Sequence, residues 1–456
     1  MRKRKLLVSS LILAALALAF VGYYLFRAGE DARRLEAIVA ELDRTAPGWR
    51  MDELMARVPH VPDAENGAEV IKQAKGRAGR GGVIDDFNLQ PQRALTPQQA
   101  AKIHEYLQDV EPKLETARRL ATFPKGRFAV KIAPDFISTL IPHVQDTREV
   151  AHMLQIDATW HVHQANFEQA AVDLHAARNA ARTLRHEPFL ISHLVRLAIL
   201  HASASTVERM LAQGQPPPKV LEDLQRLFGE EDAAACWFEG IEGERAGMHQ
   251  LLQFLEASEV DARLLRGLTG PPGKPMRWYE HVTDHFAGFT VKASHAWLLE
   301  NMTAQLAARE RPAKERRARV NELIDQADKA PVIARALMSS QWKRSFEGFL
   351  RGEAKLRAMG AGLAAERFRR DKGRWPESLA ELVPAWLEAV PIDPFDGEPL
   401  RFRAAVDGVV VYSVGPDGTL DGTSRDAGEP APQDIGPAHE FRLWNVEQRR
   451  QPGRDR

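Results

Sequence analysis

The hydrophobic pattern changes character along the chain, and each change predicts an element. Leu6 to Phe26 is an uncharged run of 21 residues, which as a helix rising about 1.5 Å per residue reaches across about 30 Å of hydrocarbon. Ala28 to Asp43 is charged and rich in Ala and Leu at helical spacing, and Pro47-Gly48-Trp49 with Pro59 and Pro62 breaks it, so a stalk helix and an ordered loop are expected. Gly79 to Gly82 reads as flexible, and Thr96-Pro97 then supplies a hydroxyl N-cap and a first-turn proline for a helix to about Thr122. From Pro142 to about Lys329 apolar positions keep a helical period and long β-branched alternation is absent. The centre is therefore α-helical, with breaks at Gln213 to Lys219 and Gly267 to Pro275. A long helix carries Phe346, Phe349, Leu350, Met359, Leu363 and Phe368 on its apolar side and ends at Asp371-Lys372-Gly373, where the glycine suits a left-handed C-cap. Leu400 to Arg403 and Val409 to Ser413 read as strands joined through Asp407-Gly408.

Two stretches carry resemblances. A helix beginning at Asn166 lays Phe167, Ala170, Ala171, Leu174, Ala177, Ala181 and Leu184 along one stripe, and the helix before it carries Met153, Ile156 and Trp160. The pair resembles a tetratricopeptide-type hairpin, although no clean repeat at a period of about 34 residues follows. The second stretch runs Arg369-Arg370-Asp371-Lys372-Gly373-Arg374-Trp375-Pro376, Glu377 to Val383, Ile392-Asp393-Pro394-Phe395-Asp396-Gly397, the hairpin, and Tyr412-Ser413-Val414-Gly415-Pro416-Asp417-Gly418. This order of motifs over the last ~85 residues resembles the periplasmic C-terminal part of the major pseudopilin of bacterial type II secretion systems. Leu6 to Phe26 has neither the glutamate nor the peptidase site of a pseudopilin's membrane helix. The layout of anchor, helical body and this ending also resembles large bacterial proteins, a likeness that implies no activity.

The pseudopilin resemblance implies a loop that holds calcium, with Asp417 on the matched motif. Asp421 and Asp426 join it on spacing, because a hard cation takes carboxylate and carbonyl oxygens from a tightly turning loop. Asp-Gly pairs also simply close turns between strands, and both readings stand. Asp393 and Asp396 are expected to cap their own loop's amides rather than bind an ion. The fold class that follows is mainly α: an N-terminal transmembrane helix, an α-helical hairpin body and a small C-terminal α+β domain. The segments are 1–27 as basic stub and anchor, 28–95 as stalk helix and loop, 96–340 as helical domain, 341–446 as long helix plus β domain, and 447–456 as a disordered tail.

Charge and composition narrow the setting. Sixty-two basic residues balance sixty-two acidic ones, which argues against nucleic acid as partner. Arg2, Lys3, Arg4 and Lys5 precede the apolar run and should stay cytoplasmic, placing the bulk of the chain outside a bacterial inner membrane. Ala17-Leu18-Ala19 offers a signal-peptidase spacing, but the apolar run continues to Phe26 without a polar region, so an uncleaved anchor is the expectation. The single cysteine, Cys236, rules out an internal disulfide and reads as a small buried hydrophobe.

Catalytic signatures are missing from the pattern. Eight of fifteen histidines lie between His143 and His201, yet none has metal-ligand spacing within one helix, and His281 and His285 lack the glutamate after the first histidine that a zinc protease needs. Gly273-Lys274-Pro275 is not a phosphate loop, and Gly360-Ala361-Gly362 sits within a helix. Glu239, Glu242 and Glu244 with Arg245 are expected on a solvated helix face. The leading expectation is a membrane-anchored envelope protein with a non-catalytic scaffold role and a protein partner. An envelope hydrolase with a dispersed site in the helical domain, or a component associated with a secretion pseudopilus, remain the alternatives.

Overall fold

The computed structural model describes residues 2–76, 89–257, 291–338, 341–416 and 440–453. Helix α1 (Arg2–Thr45) runs unbroken from the apolar run into the charged stretch. Short helices α2 (Met51–Arg57) and α3 (Gly67–Ala74) follow. Helix α4 (Pro97–Arg118) starts on a closed capping box: Thr96 Oγ1 accepts from the Gln99 amide at 3.3 Å, and Gln99 Oε1 accepts from the Thr96 amide at 3.0 Å.

The body is built around a helical hairpin. Helices α5 (Pro142–His163) and α6 (Phe167–Arg182) pack along their length, and the side chain of Asn166 caps α6. Every position of the expected α6 stripe is buried, and so are Asp173, Arg178 and Asn179 on its other sides. Such a helix lies inside the fold rather than on its surface. Helix α7 (Leu190–Gln213) is long and apolar enough on composition to cross a membrane, yet it is mostly buried against α5, α6 and α9 (Ala233–Ala257). Helices α8 (Pro218–Gly229), α10 (Val291–Ala307), α11 (Ala313–Asp325) and α12 (Val332–Leu337) surround this centre.

Helix α13 (Gln341–Lys372) buries all six apolar residues assigned to its inner side. Trp237 of α9 meets Trp342, Phe346 and Phe349 there, with ring centroids 6.1, 5.0 and 5.6 Å apart. The helix ends at Gly373, whose φ of +73° and amide bond to Arg369 O form the expected left-handed cap. Strands β1 (Arg401–Ala405), β2 (Gly408–Tyr412) and β3 (Glu440–Trp444) make one antiparallel sheet in that order, with Phe402 opposite Val411 and Val411 opposite Phe441.

Three expectations are corrected. The charged half of α1 does not stand off as a stalk but lies along α10. The long helix and sheet are not a separate unit, because one hydrophobic core runs from Met51 to Leu443 and includes α13, Val409 and Phe441. The tail is not free from residue 447: Arg449 is buried on Glu366, the Arg450 amide bonds to Ala212 O, and the Gln451 amide bonds to Gln92 O. A guanidinium finding a buried carboxylate outweighs the polar composition that suggested disorder.

Two glycines of α13 make the packing testable. A Cβ on Gly362 would lie 2.4 Å from the Phe441 ring, whereas one on Gly360 would meet nothing within 4 Å. Gly362→Ala should therefore destabilise the protein by about 1–3 kcal/mol through overpacking. Gly360→Ala should stabilise it by about 0.5–1 kcal/mol through helix propensity. Chemical denaturation of the two variants reads the opposite signs; equal effects would deny the close approach of β3.

Candidate functional site

The foot of α1 is held by an apolar stripe and a polar relay. Leu35 and Leu42 are buried, with Ile38 and Val39 beside them, against Trp49, Ala296 and Leu299. Arg34 donates to Glu300 of α10 at 2.7 Å. Trp49 Nε1 donates to Asp43 at 2.9 Å and Arg50 donates to the same carboxylate, so hydrogen bonds from Arg50 and then Trp49 hold Asp43 below the usual carboxylate range. The Trp49 ring lies 4.5 Å from that of His249, whose Nδ1 is 2.8 Å from His295 Nε2; His295 Nδ1 is 2.8 Å from Glu256 Oε1. A carboxylate only accepts, so His295 Nδ1 donates to Glu256, while its Nε2 faces His249 Nδ1. Burial, then His295, pushes the His249 pKa down to about 3, which keeps that ring neutral.

At the other end of the chain, Asp393 closes the loop after α13. It is fully buried, and its carboxylate accepts from the Phe395 amide at 2.9 Å, Ser413 Oγ at 2.8 Å, the Val414 amide at 2.8 Å and Arg401 at 3.1 Å. Burial alone would raise Asp396, but hydrogen bonds from Arg401 and the Glu398 amide outweigh it and set its pKa low. Both carboxylates thus serve their own loop, as the sequence suggests. Asp417, Asp421 and Asp426 lie outside the described residues, as do His281 and His285. The chain leading to Asp417 is fixed: Arg317 donates to Pro416 O at 2.5 Å and to Phe395 O at 3.2 Å.

Charge inside the helical body is more extensive than the sequence suggests. Glu231 is buried between Arg178 at 2.6 Å and Arg196 at 2.8 Å. Asp157 and Asp173 are buried side by side with Arg118 2.8 Å from Asp157, and His161 Nε2 lies 3.4 Å from the same residue. Burial, then the neighbouring Asp157, drives the Asp173 pKa far up. Glu239 and Glu244, expected on a solvated face, point inward. Glu239 is within 3.4 Å of Arg196, and Glu244 accepts from the Leu190 amide at 3.0 Å at the start of α7. Arg245 is buried as well. Cys236 is fully buried, as expected.

A cleft of about 280 Å³ opens between α8, the start of α9 and α13, lined by Glu231, Asp232, Glu353, Arg357, Phe228 and Leu363 among others. Its buried carboxylates are already paired, Glu231 as above and Glu353 with Arg357 at 2.6 Å. The histidine clusters lie elsewhere, between packed helices. Sequence reading misses these clusters because each draws on separate helices: Asp157 and His161 form an i,i+4 pair on α5, but Asp173 comes from α6 and Arg118 from α4. The only local signal was the i,i+4 spacing itself.

No protein-family model, curated protein or solved structure matches the chain.

The Glu244 environment gives a pH dependence. Burial raises its pKa from 4.5 to about 7. The folded state therefore holds a proton that the unfolded chain releases, and stability falls as pH rises through that window. Glu244→Gln keeps an acceptor for the Leu190 amide, and should flatten the fall and leave the variant more stable than wild type near pH 8. Denaturation midpoints on either side of the window check this; an unchanged slope would mean that Glu244 titrates normally.

Proposed function

We propose that the protein is a single-pass anchored protein of a bacterial envelope, held in the inner membrane by Leu6 to Phe26 with its bulk on the extracytoplasmic side, and that it acts as a non-catalytic scaffold. One observation carries the reading. Along the first half of α1, Leu11, Ile12, Leu16, Leu18, Phe20, Val21, Tyr23, Leu25 and Phe26 are 51–74% exposed, while the second half of the same helix is docked on the body. A contiguous apolar surface of this size is poorly solvated by water, and hydrocarbon of about 30 Å thickness is the environment that suits it. The basic residues ahead of the run support the orientation.

The scaffold role is supported by where the ionisable groups are. The histidine clusters are enclosed in packing, and the cleft holds carboxylates paired with arginines. We read α5–α6 as a tetratricopeptide-like unit whose small alanines let neighbouring helices approach closely, within a body that offers a surface to a protein partner. The C-terminal sheet with its Asp393 loop is read as a pseudopilin-like docking module, and the loop beginning at Asp417, with Asp421 and Asp426, as the place where calcium would bind. The ordered approach to that loop through Val414 and Pro416 supports this.

Two experiments test the reading. Deleting residues 1–27 should move the protein from the carbonate-resistant membrane fraction to the soluble fraction without lowering its melting temperature, because none of the described side chains in that segment belongs to the core. Full-length protein that fractionates as soluble would end the anchor proposal. Separately, titrating the full chain with calcium should give a saturable heat and a higher melting temperature, both lost in Asp417→Asn. No heat at millimolar calcium would leave Asp417, Asp421 and Asp426 as turn residues.

A further inference from the structure

The crossing of α7 and α9 brings together three side chains whose chemistry the scaffold reading does not use. Cys236 and Glu239 are three residues apart on α9, so both project from one face of that helix. His193 comes from the first turn of α7. One ligand atom from each, an imidazole nitrogen, Cys236 Sγ and a Glu239 carboxylate oxygen, lies within 4.8 Å of the others, and His193 Nδ1 is 3.7 Å from Glu239 Oε2.

The orientation of His193 is set from behind. Its Nε2 is 3.0 Å from the Glu187 carbonyl oxygen, and a carbonyl can only accept, so Nε2 carries the hydrogen. The ring is wholly enclosed, and burial, then the nearby Arg196, pushes its pKa down to about 3. It is neutral, and its free lone pair sits on Nδ1. That atom has no hydrogen-bond partner although it is buried and faces Cys236 and Glu239. A buried acceptor left unpaired is costly, and a backbone carbonyl holding the far nitrogen is how proteins commonly aim an imidazole at a metal.

We propose that His193, Cys236 and Glu239 bind a zinc ion that ties α7 to α9. Imidazole, thiolate and carboxylate together form a donor set that zinc accepts, and ligand bonds of about 2.0–2.3 Å close over a triangle of this size. The fourth tetrahedral position falls to a water on the side where Glu239 is part exposed. Binding replaces the Cys236 thiol proton by zinc: the S–H bond breaks, the Zn–S bond forms, and the proton leaves to solvent. Arg196 does not fill the site. It borders the ligands instead: it is paired with Glu231 at 2.8 Å, lies 3.4 Å from Glu239, where it can hold the carboxylate in place, and its charge also acts on Cys236, where it favours the thiolate, and on His193.

Because the chain has one cysteine, thiolate ligation can be read in the wild-type protein without any variant. Full-length protein in detergent, stripped with chelator, should take up one equivalent of zinc and melt higher with it. Cobalt in place of zinc should give a thiolate-to-cobalt charge-transfer band in the near ultraviolet. Cys236→Ser should lose that band and weaken zinc binding more than tenfold, while Glu53→Gln, remote from the site, should change neither. No uptake of either metal by wild type overturns the proposal, and so does cobalt that binds without the charge-transfer band.

Discussion

A carboxylate shared by two guanidinium groups holds the centre of this fold. Glu231 sits ahead of α9 and takes Arg178 from α6 and Arg196 from α7, all three buried. Burial alone would raise its pKa, but Arg196 and Arg178 overrule that and set it low, so the group is an anion inside the protein. Removing one partner from such an arrangement leaves an uncompensated charge, at a cost of about 3–5 kcal/mol. The apolar faces of α7 and α9 meet closely at Gly240 and Gly243, against Leu190 and Pro188. The triad adds a charged constraint to the same register, the one in which His193 meets α9 and Glu244 meets the first turn of α7.

The same device recurs at the end of the chain. Glu366 of α13 is fully buried and receives Arg449 at 2.8 Å and Arg369 at 2.7 Å. This pair draws the tail back across α13, and the Arg450 and Gln451 backbone then reaches the end of α7 and the segment before α4. Asp393 performs a related task over a shorter distance, joining the loop after α13 to the end of β2. In each case hydrophobic burial supplies most of the driving force, and a satisfied buried carboxylate selects one arrangement among many of similar area.

Elements with a strong local code were legible in the sequence. The N-cap at Thr96, the α6 stripe, the inner face of α13, the Gly373 cap and the β1–β2 hairpin all follow from spacing and turn chemistry, and the structure places them within a residue or two. The role of Asp393 was also readable, since Asp-Pro-Phe-Asp-Gly is a turn on its own chemistry. Strand β3 was not, because its five residues alternate too briefly to stand out and follow a long polar stretch. Neither were the charged clusters. Glu239 and Glu244 look solvated on a helical wheel, and only the arrival of α7 on that face turns them inward. Arg449 looked like part of a polar tail because its partner lies 83 positions earlier.

These constraints bear on how the body would sit at a membrane. Helix α1 continues from the apolar run to Thr45 without a proline, so the two halves move as one rod. On the proposed reading, Leu35 lies only about 14 Å beyond Phe26 at a rise of about 1.5 Å per residue, which brings the docked surface of α10 close to the headgroups. Arg27, Arg33 and Arg34 occupy that interval together with Glu30 and Asp31; Arg33 pairs with Glu30 at 2.7 Å and Arg34 holds Glu300. The Trp49–His249–His295–Glu256 relay then stands directly behind the docked half of the helix. Its internal hydrogen bonds hold α9 and α10 together where α1 arrives, so the body would be oriented by a rigid joint rather than hung from a flexible linker.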